Sequence, residues 1–309
     1  MTRFAPEQWA LILGGSSGFG LATAKKLAAE GMSVGLVHRD RRGAMDRVNS
    51  EFDGIRAHGR GFFSLNLDAL SPDGMAAVVG TLATHLGTAG RVRVLLHSIA
   101  FGNLRPIVPV PPAGRAPALA RLAEALGIPA ADVDRAADAL AESGEPVFQL
   151  LRPVDYGQAV LEDEDLARTI YSMGTSLLTW VQRLHAAGLF APDARVIGLT
   201  SEGNTTAWRG YAAVAAAKSA LESVSRAIAV EFAPYGIRSN IVQPGVTDTP
   251  ALRVIPGSAN MKAGAQLRNP FGRLTTPEDV ADVVYLLSLE EAGWINGALI
   301  RADGGEHIA

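Results

Sequence analysis

The chain has 309 residues, 48% of them hydrophobic and 19% charged, enough apolar material for a sizeable core and too much for a disordered chain. With 28 basic and 31 acidic residues the formal charge is -3, so no basic surplus exists to neutralise a phosphate backbone, and nucleic acid is not an expected partner. The absence of cysteine excludes disulfides, thiolate nucleophiles, iron–sulfur clusters and Cys-ligated zinc. The length suits two average domains or one large α/β domain. No charged stretch leads into a long apolar one at the N-terminus, and no uninterrupted run of about 18 apolar residues occurs. The expectation is a soluble cytoplasmic protein that does not enter a membrane.

Trp9–Leu13 is short and apolar and reads as a buried parallel strand. A glycine-rich turn follows, then Leu21–Glu30, rich in strong helix formers and ended by Gly31. Further apolar segments predict strands at Met32–Val37, Phe62–Leu65, Val92–Leu96, Arg195–Leu199, Ile237–Val242 and Ala298–Ile300. Alternating strand and helix signals imply crossover connections, hence an α/β fold with a doubly wound parallel sheet covered on both faces. Ala212–Phe232 is long and Ala-rich, a helix for burial against the sheet or a neighbouring subunit.

One stretch, about 103–165, breaks this rhythm. It carries Pro106, Pro109, Pro111, Pro112 and Pro117, then two Ala-rich helical segments at Ala118–Leu126 and Ala130–Ala141, and ends in the acidic run Glu162–Asp165. A connection of that length has structure of its own or covers a site. We read it as an inserted lid within a single domain, with the prolines as a stiff spacer and the acids matching a helix dipole.

The turn Gly14-Gly-Ser16-Ser17-Gly18-Phe19-Gly20 sits between the first strand and first helix. Small residues let backbone approach a pyrophosphate, and a helix N-terminus offers unpaired N–H groups and a positive dipole end. A tight turn without a ligand is the plain alternative. The spacing Gly-x-x-x-Gly-x-Gly departs from Gly-x-Gly-x-x-Gly and resembles the short-chain dehydrogenase/reductase superfamily, with Leu13 in place of the usual Thr. That resemblance implies a Rossmann-type fold and a nicotinamide dinucleotide. At the tip of the second strand an acid would hold the ribose hydroxyls of NAD, and a base the extra phosphate of NADP. His38 stands there, followed by Arg39, Arg41 and Arg42, which favours NADPH over NADH. Asp40 has the spacing of the NAD acid but falls one position far on the turn. The resemblance places Asn66 and Leu67 near adenine.

Tyr211 and Lys218 form the second anchor. An ammonium near a phenol lowers its pKa and also bonds the nicotinamide ribose. The phenol would then donate to an oxygen gaining negative charge. Carbonyl-reducing members of the superfamily space these residues Tyr-x3-Lys; here position 214 is valine and position 215, where that lysine would stand, is alanine. The Tyr-x6-Lys spacing resembles the divergent enoyl-ACP reductase branch, as does His97-Ser98-Ile99-Ala100-Phe101. The resemblance assigns the Ser98–Ala100 backbone to the cofactor site, with Ile99 near the adenosine and ribose. In Pro244-Gly245-Val246-Thr247-Asp-Thr249 it assigns the Val246 and Thr247 backbone to the carboxamide and Thr249 to a phosphate. Asn269–Leu274, Thr276–Val280 and Ala302–Gly305 also look like family segments. Two departures stand out: Ser201, preceded by Thr200, replaces a second tyrosine of the branch, and the insertion has no counterpart.

These readings lead to NAD(P)H-dependent reduction of the C=C bond of an enoyl thioester, carried by an acyl carrier protein or CoA, in fatty acid or polyketide metabolism. Tyr211, Lys218, Thr200 and Ser201 are the catalytic candidates, and no metal is needed. The Thr200/Ser201 hydroxyls keep open a carbonyl (3-oxoacyl or ketone) reductase or alcohol dehydrogenase. A cofactor-binding sensor or scaffold is the third reading. Relatives in the superfamily are commonly tetramers, so a homotetramer or homodimer is expected.

Overall fold

Gln8–Leu13 (β1) is buried from Trp9 onward and is an interior strand of a seven-stranded sheet. The computed structural model describes residues 3–109, 117–143, 145, 154 and 156–309. After β1 the chain runs through α1 (Gly18–Ala29), β2 (Ser33–His38), α2 (Met45–Arg56), β3 (Phe62–Asn66), α3 (Pro72–Leu86) and β4 (Arg91–His97). It continues through α4 (Pro117–Leu126), α5 (Ala130–Glu142), α6 (Asp163–Ile170), α7 (Ser176–Ala186), β5 (Phe190–Leu199), α8 (Ala212–Glu231) and β6 (Arg238–Pro244). The last elements are α9 (Pro250–Arg253), α10 (Ser258–Arg268), α11 (Pro277–Ser288) and β7 (Leu299–Ala302).

All strands are parallel, in the order β3-β2-β1-β4-β5-β6-β7. The order reverses between β1 and β4, so the loops leaving their carboxyl ends diverge and open a crevice, the usual ligand position of such sheets. Successive side chains of each strand feed opposite layers. Ala10, Ile12, Val34, Leu36, Val94 and Leu96 pack under α1, α2 and α11, whereas Leu11, Leu13, Leu95, Val196 and Ile241 pack under α3, α7 and α8. The result is one Rossmann-type α/β domain.

Strand β5 begins at Phe190, five residues before the apolar segment read from sequence, because Phe190 pairs with Val92 ahead of an irregularity in the register. Between α6 and α7 the helix loosens into a π turn, Tyr171–Thr175. Gly174 lies there against α8, and a Cβ on it would stand 2.6 Å from the Ala217 carbonyl oxygen. Close approach of these two segments sets the depth of α8, which carries Lys218.

The two expected helices of the insertion are α4 and α5, packed on each other through Leu119, Ala123 and Val133. Pro117 opens α4 rather than extending a spacer; Pro111 and Pro112 lie outside the described residues. The acidic run starts α6, with Asp163, Glu164 and Asp165 in its first turn. Asp165 also accepts from Asn103 Nδ2 at 2.6 Å and pairs with Arg105, joining the two ends of the insertion. Among the described residues, no helix is long and apolar enough to cross a membrane.

Candidate active site

A cleft of about 810 Å³ lies at the carboxyl ends of the strands. It is walled by the β1–α1 turn, the tips of β2, β4 and β5, the start of α8, the β6–α9 loop and the C-terminal segment. A shallower hollow of about 310 Å³ lies at the opposite end, around Trp9 and His85, and contains none of the candidate residues.

Gly14, Ser16, Ser17, Gly18 and Phe19 all line the cleft. Ser17 is the N-cap of α1, yet its hydroxyl makes no cap bond, unlike Ser71 before α3 and Thr276 before α11. The first N–H groups of α1 therefore face the cleft without a side-chain acceptor, as an anion site requires. Gly14 (φ +90°) has no room for a side chain: its Cβ would stand 2.4 Å from the Ser98 carbonyl oxygen. Gly20 is outside the lining, and its Cβ would meet the Gly14 oxygen at 2.0 Å, so this glycine serves the tightness of the turn. A backbone cradle with unpaired donors, closed opposite by Thr249, fits a pyrophosphate; Thr249 Cγ2 is the atom a Cβ on Gly18 would approach, at 3.4 Å.

His38, Arg39 and Leu67 also line the cleft. His38 is buried, and its Nδ1 lies 2.9 Å from Asp40 Oδ2. Asp40, set aside from sequence as too far out, lies in the lining together with Arg41. The Arg39 guanidinium stands 5.5 Å from the centre of the Phe101 ring and 3.6 Å from Asp68. Asn66 does not line the cleft. Its side chain accepts from the Asp40 N–H at 2.9 Å and donates to the Asp40 carbonyl at 3.0 Å, so it braces the turn behind the site.

Ser98, Ile99 and Ala100 leave β4 on the floor of the cleft, and Ser98 N–H donates to the Leu13 carbonyl at 2.9 Å. The preceding His97 is fully enclosed. Its Nε2 lies 2.8 Å from Ser176 Oγ, and burial, then the charge of Lys218, lower its pKa to about 3. A neutral imidazole so placed braces β4 against α7.

Tyr211 is the N-cap residue of α8, and Lys218 follows two turns later. Both are buried and both line the cleft. Lys218 Nζ donates to the Leu199 carbonyl at 2.7 Å, and burial lowers its pKa to about 8, against the opposing charge of Glu222. Burial pushes the Tyr211 phenol above its ordinary value, opposed only by the Ser201 hydroxyl. The expected lowering of the phenol by the ammonium is therefore not what this geometry produces. Val214, one turn closer to Lys218, presents an apolar side chain to the cleft.

The Thr200/Ser201 pair divides. Ser201 Oγ lies 3.3 Å from Tyr211 Oη. Thr200 lines the cleft, but its hydroxyl donates to Glu222 Oε1, which also accepts from Asn204 Nδ2. Thr200 thus holds the loop that carries Ser201.

Gly245, Val246, Thr247 and Thr249 line the far wall. Val246 N–H is already committed to Glu306 Oε2 at 3.0 Å, so it is not free for a carboxamide as read from sequence. Thr249 Oγ1 caps α9 by accepting from the Leu252 N–H. Glu202, Glu306 and His307, unread in the sequence, complete this wall. The acid after the Asp303-Gly-Gly305 segment was the available signal.

The N-terminal part, residues 8–109, matches a family model described as short chain dehydrogenase, and residues 154–307 match one described as Enoyl-(Acyl carrier protein) reductase. The chain is 26% identical over 299 residues to a cis-4-hydroxycyclohexanecarboxylate dehydrogenase of Sinomonas cyclohexanicum, covering 97% of this chain and 96% of that protein. It is 37% identical over 126 residues to a 1-cyclohexenylcarbonyl-CoA reductase of Streptomyces collinus, covering 40% of this chain and 45% of that protein. A short chain dehydrogenase from Burkholderia cenocepacia J2315, solved in complex with NADP, superposes with a TM-score of 0.68 at 22% identity, over 97% of this chain and 98% of that one. From the sheet order, the glycine turn and these matches, the chain belongs to the short-chain dehydrogenase/reductase superfamily, whose members are NAD(P)-dependent oxidoreductases.

Proposed function

We propose that the protein reduces the C=C bond of an enoyl thioester. The observation that carries this reading is the separation of Tyr211 from Lys218. The residue one turn above the lysine is Val214, and burial raises the phenol while no cation lowers it. A phenol of that kind donates a hydrogen bond readily and gives up its proton reluctantly. That suits an enolate oxygen, where the proton goes finally to carbon, better than an alkoxide, which needs the proton itself.

The bound reduced nicotinamide would supply a hydride to the β-carbon of the enoyl group. The N-terminus of α1 with Ser16 and Ser17 would hold its pyrophosphate, Lys218 the ribose, and Thr247 the carboxamide. Tyr211 O–H stabilises the charge gathering on the thioester oxygen, and Ser201, at 3.3 Å, orients that hydroxyl. The buried Lys218 ammonium, fixed on the Leu199 carbonyl, adds positive potential to the cleft. A proton taken from solvent at the α-carbon would complete the saturated thioester.

NADPH is the favoured cofactor in this reading, because Arg39 and Arg41 line the β2 side of the cleft and the Asp40 carboxylate is engaged by His38. The insertion acts as a lid on the acyl end: Leu104 lines the cleft, and Tyr156 packs where a Cβ on Gly210, the residue before Tyr211, would meet it at 3.2 Å. The name of the C-terminal family model and that of the S. collinus relative support an enoyl substrate.

One observation favours a second reading. The contact of Ser201 with Tyr211 is also the hydroxyl pair a ketone or 3-oxoacyl reductase uses, and the full-length relative is named as a dehydrogenase. An assay at the nicotinamide absorbance, offering 2-enoyl and 3-oxoacyl thioesters separately with NADPH and with NADH, decides. Oxidation of NADPH with the enoyl thioester is expected, and turnover of the 3-oxoacyl thioester alone rejects the proposal.

A further inference from the structure

The C-terminal segment ends beside the cofactor loop, and one carboxylate there is enclosed on all sides. Glu306 is 3% exposed. Its Oε2 accepts from Val246 N–H at 3.0 Å, and its Oε1 pairs with Arg268 Nη2 at 3.2 Å. Gly245 leaves the space this carboxylate fills, since a Cβ there would stand 2.8 Å from Oε2. Arg268 is the last residue of α10 and also lies 3.9 Å from Glu202 Oε2, next in sequence to Ser201.

This arrangement has a directional consequence. A buried peptide donor needs an acceptor, and the acceptor it finds fixes the orientation of its peptide plane. With Val246 N–H tied to Glu306, the next residue, Thr247, is held in the lining, its hydroxyl closed onto the Gly245 carbonyl at 3.0 Å. We infer that Glu306 is a positioning residue for the nicotinamide end of the cofactor: it anchors Val246 so that Thr247 meets the carboxamide, and Arg268 couples that anchor to α10. The inference rests on the dinucleotide reading of the cleft and adds a residue to it.

A charged acceptor is the stronger choice here, because a charge-assisted bond to a peptide N–H is about twice as strong as a neutral one. Burial, and to a smaller extent the charge of Glu202, raise the Glu306 pKa, while the Val246 N–H and Arg268 oppose the rise and favour the carboxylate.

The test compares NADPH with 2′-phospho-ADP-ribose, which has the same adenosine and pyrophosphate but no nicotinamide. Binding is read by calorimetry for both, without turnover. Glu306→Ala is expected to weaken NADPH about tenfold, the scale of one charge-assisted hydrogen bond, and to leave the fragment within about twofold. Glu306→Gln keeps an oxygen for Val246 N–H and should recover most of that loss. Should Glu306→Ala not fold, Arg268→Met leaves the anchor but removes its counter-charge, and should weaken NADPH about threefold with no effect on the fragment. Equal weakening of both ligands, or no change in either, overturns the role. Wild-type protein that binds neither ligand overturns the reading of the cleft and the inference with it.

Discussion

The hydroxyl of Ser201 lies 3.3 Å from the phenolic oxygen of Tyr211, and no cation joins them to lower the phenol. Tyr211→Phe removes the only oxygen that this site presents from α8 to a developing enolate. Turnover of the enoyl thioester should fall by at least about 100-fold, the usual scale for a positioned donor. Affinity for NADPH should stay within about twofold, because the phenol is assigned no part in holding the pyrophosphate or ribose. Steady-state kinetics with a fluorescence titration of the cofactor measure both. Wild-type turnover in the variant removes Tyr211 from the mechanism.

Lys218 gives the reaction an alkaline limit. Its ordinary pKa of 10.5 is lowered to about 8 by burial, so the free enzyme carries the ammonium below about pH 8 and loses it above. Reduction should therefore be full on the acid side and decline as pH rises through about 8. The value of kcat/KM for the cofactor reports this group in the free enzyme. Lys218→Met should abolish the limb along with most of the activity. A wild-type profile flat from pH 7 to pH 10 contradicts the assignment.

The strands, the glycine turn and the Tyr–Lys pair were legible because each depends on local pattern. Trp9–Leu13 is an apolar run and Val92–Leu96 is apolar but for Arg93, and both lie in central strands of the structure. What escaped the sequence is mostly pairing over distance. Arg93, Arg195 and Arg238 lie on three neighbouring strands, and Arg93 and Arg195 are buried. They converge on Asp193, and Arg93 and Arg195 also donate to the Ser288 and Leu287 carbonyls at the end of α11. The start of β5 was missed because Pro192 and Asp193 interrupt the apolar pattern between Phe190 and Arg195. Asp40 was misplaced because the bend after His38 is set by Asn66, 26 residues away. Glu306 went unread for the same reason, since its partners Val246 and Arg268 are 60 and 38 residues distant.

Cofactor choice should follow the β2 tip. Arg39 is exposed and lies in the lining, held by a 3.6 Å contact with Asp68 and by the Phe101 ring. Arg39→Ala removes a partner for a 2′-phosphate and leaves Asp40 in place. NADPH affinity should fall about 10-fold, with NADH changed less than twofold, in keeping with one charge-assisted contact. An equal effect on the two cofactors, measured by titration, eliminates Arg39 as the discriminating residue.

The depth of Lys218 in the cleft is set by the packing of the π turn on α8, and this gives a test outside the site. Gly174 is buried, and a Cβ there would stand 2.6 Å from the Ala217 carbonyl oxygen and 3.3 Å from the Ala220 Cβ. Backbone is the nearer obstacle, so the conflict is not relieved by rotating a side chain. Gly174→Ala should destabilise the protein by about 1–3 kcal/mol, the typical result of overpacking. Because Ala217 immediately precedes Lys218, α8 must shift outward with it, so turnover should fall more than cofactor binding. Denaturant melts and kinetics on the same preparation measure both effects. A variant as stable and as active as wild type would mean that α8 tolerates displacement and that Gly174 has no part in placing the lysine.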